Sequence, residues 1–291
     1  MQGTQTTGLI CAALAAACFG SIPPLAGVAY ANGVNPITVI AFRAGMGLAG
    51  GLLLTVLLKR SFTVPKAAWP AVLGTTLGLF LISFCYMYAI SLIPVSLAVL
   101  VLYTFPFMIL ISDSVINRRR PGLPLIMAIV VAFSGLSLAL GTTLAELDWR
   151  GVALMLVAAI GAVLSMMFGA RAGRHIGIIR LTVWTHMIAV PAFLVAVPQF
   201  GGFALPQADP GWWSLAAIGV FYIAAVLALF AAVSIADPVP AAIILHLEPL
   251  VTIAAAMFLL SESLTGTQYL GAALIIVAVL SVTRQTSAVK P

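Results

Sequence analysis

Apolar residues run in blocks from one end of the chain to the other, separated by short polar stretches. A helix that crosses a bilayer needs about 20 predominantly apolar residues. Ten windows qualify, at roughly 8–29, 36–58, 67–90, 94–115, 121–141, 151–170, 178–198, 212–233, 239–260 and 266–283. The pattern predicts an all-α membrane protein of ten transmembrane helices with short connections and almost no chain left for a soluble domain. A binding site must then be built from the spans or from the few loops between them. The first block has no Lys or Arg ahead of it, and Ile22, Pro23 and Pro24 continue it to full span length, so it is expected to be a retained span and not a cleaved signal.

Composition agrees: of 291 residues, 63% are hydrophobic and 7% charged, far too little charge to hold a soluble surface in water. A formal net charge of +6 raises the question of nucleic acid, but in a membrane protein the positions of Lys and Arg orient the spans. With a cytoplasmic N-terminus the inner loops hold Lys59, Arg60 and Lys66, then Arg118, Arg119 and Arg120, then Arg171, Arg174 and Arg180, with Arg284 and Lys290 in the tail. That places 11 of the 13 basic residues inside and only Arg150 outside, with Arg43 within a span. Both termini are therefore expected in the cytoplasm, and no nucleic-acid partner is implied. The Arg118–Arg120 cluster reads as a stop-transfer signal or as a contact for anionic headgroups. Cys11, Cys18 and Cys85 lie within spans and form no CxxC pattern, as expected of small buried hydrophobes.

Shifting the chain against itself by 143 residues superposes Gly8 on Gly151, Trp69 on Trp212, Ala89 on Ala232, Ser91 on Ser234 and Pro106 on Pro249 without a gap. Five spans fall on five, giving two units, residues 1–143 and 144–291. Because five is odd, the second unit enters the membrane from the opposite side. Inverted repeats of this kind allow the two halves to exchange conformations, so that a cavity open to one side becomes open to the other.

A charged side chain deep in a span is costly and usually faces a bundle interior or a water-filled cavity. Two qualify, Arg43 in the second span and Glu248 in the ninth. Arg43 suits a substrate carboxylate, through the fork geometry of its guanidinium, and Glu248 suits an ammonium group or a proton; alternatively the two form a structural ion pair. The shift pairs Arg43 with His186, Tyr103 with His246, and Phe105 with Glu248. Residues two apart on a helix point about 200° from each other, so His246 and Glu248 do not share one narrow site on a regular helix. Pro249 and Pro106 remove one backbone hydrogen bond each and are read as symmetric hinges or as tolerated kinks. Phe80, Phe84 and Tyr88 recur every fourth residue of the third span, with Phe221 and Tyr222 at the matching depth of the eighth. Such a stripe lines a cavity for an aromatic or amphipathic substrate, or packs. Trp184 lies deeper than the interfacial Trp69, Trp212 and Trp213 and joins the candidates. Small residues spaced by four, including Gly74 with Gly78 and Gly161 with Ser165, permit close helix approach within one monomer; oligomeric state stays open.

The stretches Ala41-Phe42-Arg43, Leu247-Glu248-Pro249-Leu250-Val251 and Leu260-Ser261-Glu262-Ser263-Leu264-Thr265 resemble the EamA-type branch of the drug/metabolite transporter superfamily over nearly the whole chain, and within it most of all the aromatic amino acid exporters. The resemblance implies ten helices in a bacterial inner membrane with both termini cytoplasmic. Two features depart from the family pattern: Phe19-Gly20 stands where Trp-Gly is common, and Arg119 stands where repeat symmetry with Glu262 expects an acid.

No GxxxxGK[ST] loop, HExxH or Cys/His cluster occurs, so no ATP site, metal or other cofactor is expected. The expected function is secondary-type transport or facilitated export of small metabolites, aromatic amino acids first, by alternating access around a central cavity. The candidate substrate-binding residues are Arg43, Phe84, Tyr88, Tyr103, Trp184, His186, His246 and Glu248, the candidate hinges Pro106 and Pro249, and no residue is assigned as catalytic. A multidrug or nucleobase exporter on the same scaffold is the nearer alternative. An intramembrane enzyme acting on a lipid-linked substrate, using His186, His246 and Glu248, is the distant one.

Overall fold

A computed structural model describes residues 2–89, 92–93, 95–118, 121–141, 148–260 and 265–288. Ser91, Arg119, Arg120, residues 261–264, Lys290 and the expected boundary between residues 143 and 144 lie outside the described residues. The regular elements are helices: α1 (Gln2–Ala31), α2 (Pro36–Leu57), α3 (Trp69–Ala89), α4 (Val95–Leu102), α5 (Phe105–Asn117), α6 (Leu123–Leu140), α7 (Trp149–Ile176), α8 (Ile178–Ala196), α9 (Asp209–Ile235), α10 (Pro238–Ile244), α11 (Leu247–Leu260) and α12 (Gly266–Ala288). Among the described residues, nine helical segments are long and apolar enough to cross a membrane, and Gly266–Ser281 is a shorter apolar helix. Ile10, Leu14, Leu53, Leu77, Ile111, Val195, Val220 and Val277 are exposed on the outside of the bundle. An apolar exterior of this extent calls for lipid as its solvent.

Local chemistry starts the helices where the hydropathy pattern does. Asn35 caps α2, its side chain accepting from the Thr38 N–H at 3.0 Å, and Pro36 occupies the first turn, where a missing N–H costs nothing. Asp148 caps α7 by accepting from the Arg150 N–H at 2.8 Å. The Arg150 side chain and the cap together hold the Asp148 carboxyl below the usual carboxylate range. A carboxyl with a lowered folded value contributes stability that is present above its unfolded pKa and is lost as pH falls through the folded one. Asp148→Ala is therefore expected to fray the first turn of α7 at neutral pH and to change nothing once the wild-type carboxyl is protonated, as read by hydrogen exchange at residues 150–152.

The helices cross in pairs that the 143-residue shift relates. α1 lies along α9 as α7 lies along α3, while α2 lies along α8 and α6 along α12, each against its own counterpart. Small residues set the close crossings. A Cβ on Gly78 of α3 would sit 2.4 Å from the Gly161 carbonyl oxygen and 2.5 Å from the Ser165 nitrogen of α7. Gly135 of α6 and Gly271 of α12 meet in the same way. The small-residue spacing in the sequence is thus used within one chain.

The fourth and ninth spans are each two helices. Chain direction breaks at Tyr103–Thr104 between α4 and α5, and at Leu245–His246 between α10 and α11. The prolines do not kink continuous helices: Pro106 and Pro249 sit in the first turns of α5 and α11, so the bend falls about one turn earlier than a kink at the proline itself. The cause is visible at Leu245. Proline at position 249 has no N–H for this carbonyl, which accepts instead from the Glu248 N–H at 2.9 Å and from the Tyr103 hydroxyl at 3.2 Å. Tyr103 comes from the other break, so the two discontinuities meet.

Candidate functional site

Proline also shapes the first span. Pro24 leaves the Gly20 carbonyl without its helical donor, and the Thr252 hydroxyl of α11 takes it at 2.9 Å, lying also 3.1 Å from the Glu248 carbonyl. Gly20 is what allows this approach, since a Cβ there would fall 2.4 Å from the Glu248 carbonyl oxygen and 2.8 Å from Val251 Cβ. The start of α11, with Glu248 in its first turn, is clamped between α1 on one side and Tyr103 on the other. The Tyr103 hydroxyl also interacts with the Glu248 side chain.

Arg43 lies across from this acid. Its guanidinium stands over the ring of Tyr222 on α9, 5.2 Å from the centroid, within cation–π range. Arg43 is half-buried and reaches Glu248, Tyr30, Tyr86 and His186 electrostatically. No ion pair joins it to Glu248, and among the described residues no acceptor takes its N–H groups. The sequence pairing of Arg43 with His186 becomes a spatial neighbourhood. His186 is 2% exposed, and its ring occupies the space beside Gly47, where a Cβ would meet it at 2.6 Å. Its Nδ1 lies 2.8 Å from the Thr182 carbonyl and its Nε2 3.2 Å from the Tyr222 hydroxyl.

His246 and Glu248 do part company. His246 is fully buried, its ring edge-on to Tyr103 at 5.1 Å between centroids. Its Nδ1 approaches the carbonyls of Ala242 and Ile243, and its Nε2 has no partner among the described residues. It lies against Tyr103, which with Leu245 belongs to the packed core around the break. Phe84 and Tyr88 stand in an aromatic ladder on the seam between α3 and the end of α8: Phe84 stacks on Phe193 at 5.5 Å and Tyr88 meets Phe200 at 6.3 Å. Trp184 packs edge-on to Trp69 at 4.9 Å and donates its indole N–H to the Phe62 carbonyl in the α2–α3 loop at 2.9 Å. Of the sequence candidates, the structure therefore brings Arg43, His186, Tyr103 and Glu248 into one central region, with His246 behind it and Phe84, Tyr88 and Trp184 engaged in helix and loop packing.

Tyr30, Tyr86 and Tyr222 complete the region, and sequence reasoning passed over the first two. Tyr86 lies between Phe84 and Tyr88 and so on the other face of α3 from the stripe that drew attention. The available signal was a phenol deep in a span, where its hydroxyl calls for a partner.

Among the described residues, Arg43 has no bound acceptor and Glu248 no bound cation; both lie inside a membrane-spanning bundle, with the phenols of Tyr222 and Tyr103 beside them, and form a two-pole polar centre between helices that break at its edge. Transporters commonly build substrate sites at such discontinuous helices. One solved crystal structure, whose description names no activity, superposes with a TM-score of 0.81 at 15% identity, over 99% of this chain and 100% of that one. Among curated proteins, none matches the sequence. The family model for EamA-like transporters matches twice, over residues 6–141 and 149–284. Its members are transporters and not enzymes. With both halves of the chain matched, the protein belongs to the EamA-like transporter family and is a membrane transporter of small molecules.

Proposed function

We propose that the substrate is a zwitterionic small metabolite, an aromatic amino acid in the first instance, exported across a bacterial inner membrane by alternating access of two inverted five-span repeats. The observation that carries this is the pair of opposite charges left apart. Arg43 offers N–H groups to a carboxylate, and Glu248 offers its carboxylate to an ammonium group, without the two forming an ion pair. A structural lock would close that gap, because a buried charge is costly until it is paired. Phe19, edge-on to Tyr222 at 6.3 Å, together with Tyr86, supplies aromatic surface for a ring. The meeting of the two breaks at Tyr103 and Leu245 supports these segments, rather than the prolines alone, as the hinges. Both termini are placed in the cytoplasm on the charge pattern. The contact of Arg180 with the Thr63 carbonyl at 2.8 Å supports a common side for the two loops that pattern puts together.

The test is uptake and counterflow of radiolabelled phenylalanine and tryptophan in liposomes, with and without an imposed pH gradient. Saturable movement of unchanged amino acid is expected. Glu248→Gln, which keeps shape and removes charge, is expected to raise KM for phenylalanine about 10-fold or more, the value of one hydrogen bond to a charged group. Its effect on a substrate lacking the amino group, phenylpropionate, is expected to be small. Absence of any movement above empty liposomes would refute the amino acid reading and turn the search to drugs and nucleobases.

A further inference from the structure

The Arg43 side chain is held in place by a ring and not by an acid, and that ring is itself held. A carbonyl oxygen only accepts, so the proton of the His186 imidazole sits on Nδ1, donating to Thr182 at 2.8 Å. In the neutral ring Nε2 is then an acceptor, and the Tyr222 hydroxyl donates to it across 3.2 Å. The imidazole meets the phenol edge-on, with centroids 5.6 Å apart, and is seated against α2 at Gly47, one turn beyond Arg43. A chain of fixed contacts thus runs from the α8 backbone through His186 and the Tyr222 hydroxyl to the Tyr222 ring, and ends at the guanidinium 5.2 Å from its centroid. A π face attracts a cation, and among the described residues no oxygen or nitrogen acceptor takes the N–H groups of Arg43. The fork therefore stays open, and an arriving carboxylate displaces no acid from it.

We infer that Tyr222 and His186 are positioning residues that present Arg43 to the carboxylate of the substrate and so set the preference for a carboxylate over an uncharged group at that position. The inference rests on the zwitterion reading above. An Arg held by an acid would need the substrate to compete with that acid. One left unsupported would lose side-chain entropy on binding. The Tyr222–His186 unit removes both costs, and Gly47 is the residue on α2 that makes room for it.

The readout is the ratio of transport efficiency for phenylalanine to that for phenylalaninamide, which keeps the ring and amine and lacks the carboxylate. Wild type is expected to favour phenylalanine. Tyr222→Leu, which removes the π face, is expected to lower the ratio about 3- to 30-fold through the KM for phenylalanine. Tyr222→Phe keeps the face and loses the link to His186, and a fall of about threefold is expected. Gly47→Ala, whose Cβ would meet the His186 ring first, at 2.6 Å, is expected to match it. Thermal unfolding in detergent checks that each variant is folded; if Tyr222→Leu is not, the other two carry the test. Unchanged ratios in all folded variants, or equal losses for both compounds, would overturn the positioning role. An unchanged ratio in Arg43→Gln would instead overturn the carboxylate reading itself.

Discussion

Liposomes carrying Arg43→Gln are expected to transport phenylalanine about 10- to 100-fold less efficiently than wild type, the range set by losing about 1.5–3 kcal/mol of charge-assisted hydrogen bonding. The loss is expected in KM, because the contact forms when the substrate enters and is not confined to the moving state. Glutamine retains an amide donor, so what disappears is the charge and the two-pronged geometry. Arg43→Lys restores the charge as a single point without the fork and is expected to recover part of the loss. A lysine variant indistinguishable from wild type would mean that charge alone matters, and a glutamine variant indistinguishable from wild type would refute the carboxylate role. An accompanying collapse in thermal stability would point to a structural lock. None is expected, because among the described residues Arg43 makes no ion pair whose loss would strand a buried acid.

The parts of this architecture that the sequence discloses are those set by hydrophobic length and by residue size. Span positions follow from apolar blocks, and the crossing of α3 with α7 follows from Gly78, Gly161 and Ser165. The 143-residue shift pairs Arg43 with His186 and Tyr103 with His246 as equivalent positions, and the fold brings the members of each pair near one another. The ring of Tyr103 against that of His246 at 5.1 Å is the direct case. What the sequence hides is which face of each helix turns inward. The period-four stripe Phe80, Phe84, Tyr88 is conspicuous in the sequence, yet α3 uses it on α8 through Phe193 and Phe200. Tyr86, on another face, is the residue within electrostatic reach of Glu248 and Arg43. α3 meets α7 on one side and α8 on another, so periodicity alone does not say which face turns to the polar centre.

The prolines act through the carbonyls they free. A proline frees the carbonyl four residues earlier, and the sequence alone suggests a kink there. The freed oxygens at Gly20 and Leu245 are filled by hydroxyls from distant segments, Thr252 and Tyr103. Each satisfied carbonyl becomes a tertiary contact beside Glu248. In lipid an unfilled backbone group costs several kcal/mol, so these hydroxyls stabilise the breaks and at the same time fix the position of the acid. Tyr103 joins both roles, which explains how a residue reached through repeat symmetry lies at the structural centre of the site.

The largest effect on folding is expected from Gly78→Leu, which should abolish recovery of monodisperse protein from detergent. A Cβ at this position would lie 2.4 Å from the Gly161 carbonyl oxygen, 2.5 Å from the Ser165 nitrogen and 3.0 Å from its Cα. These atoms are backbone and cannot rotate away as a side chain does, so α3 and α7 must separate. Overpacking a core costs about 1–3 kcal/mol when side chains can yield, and that range is a floor where they cannot. Gly78→Ala tests the geometry at its smallest increment: a lowered Tm is expected, with residual transport falling in step with the folded fraction. Gly27 of α1 is the opposite case, since nothing lies within 4 Å of a Cβ built there. The helical backbone accepts alanine at that position, and Gly27→Ala is expected to be stabilising by about 0.5–1 kcal/mol through helix propensity alone. Two identical substitutions in two apolar helices should thus move Tm in opposite directions. If Gly78→Ala raised Tm as well, close packing at Gly78 would not be what holds α3 against α7.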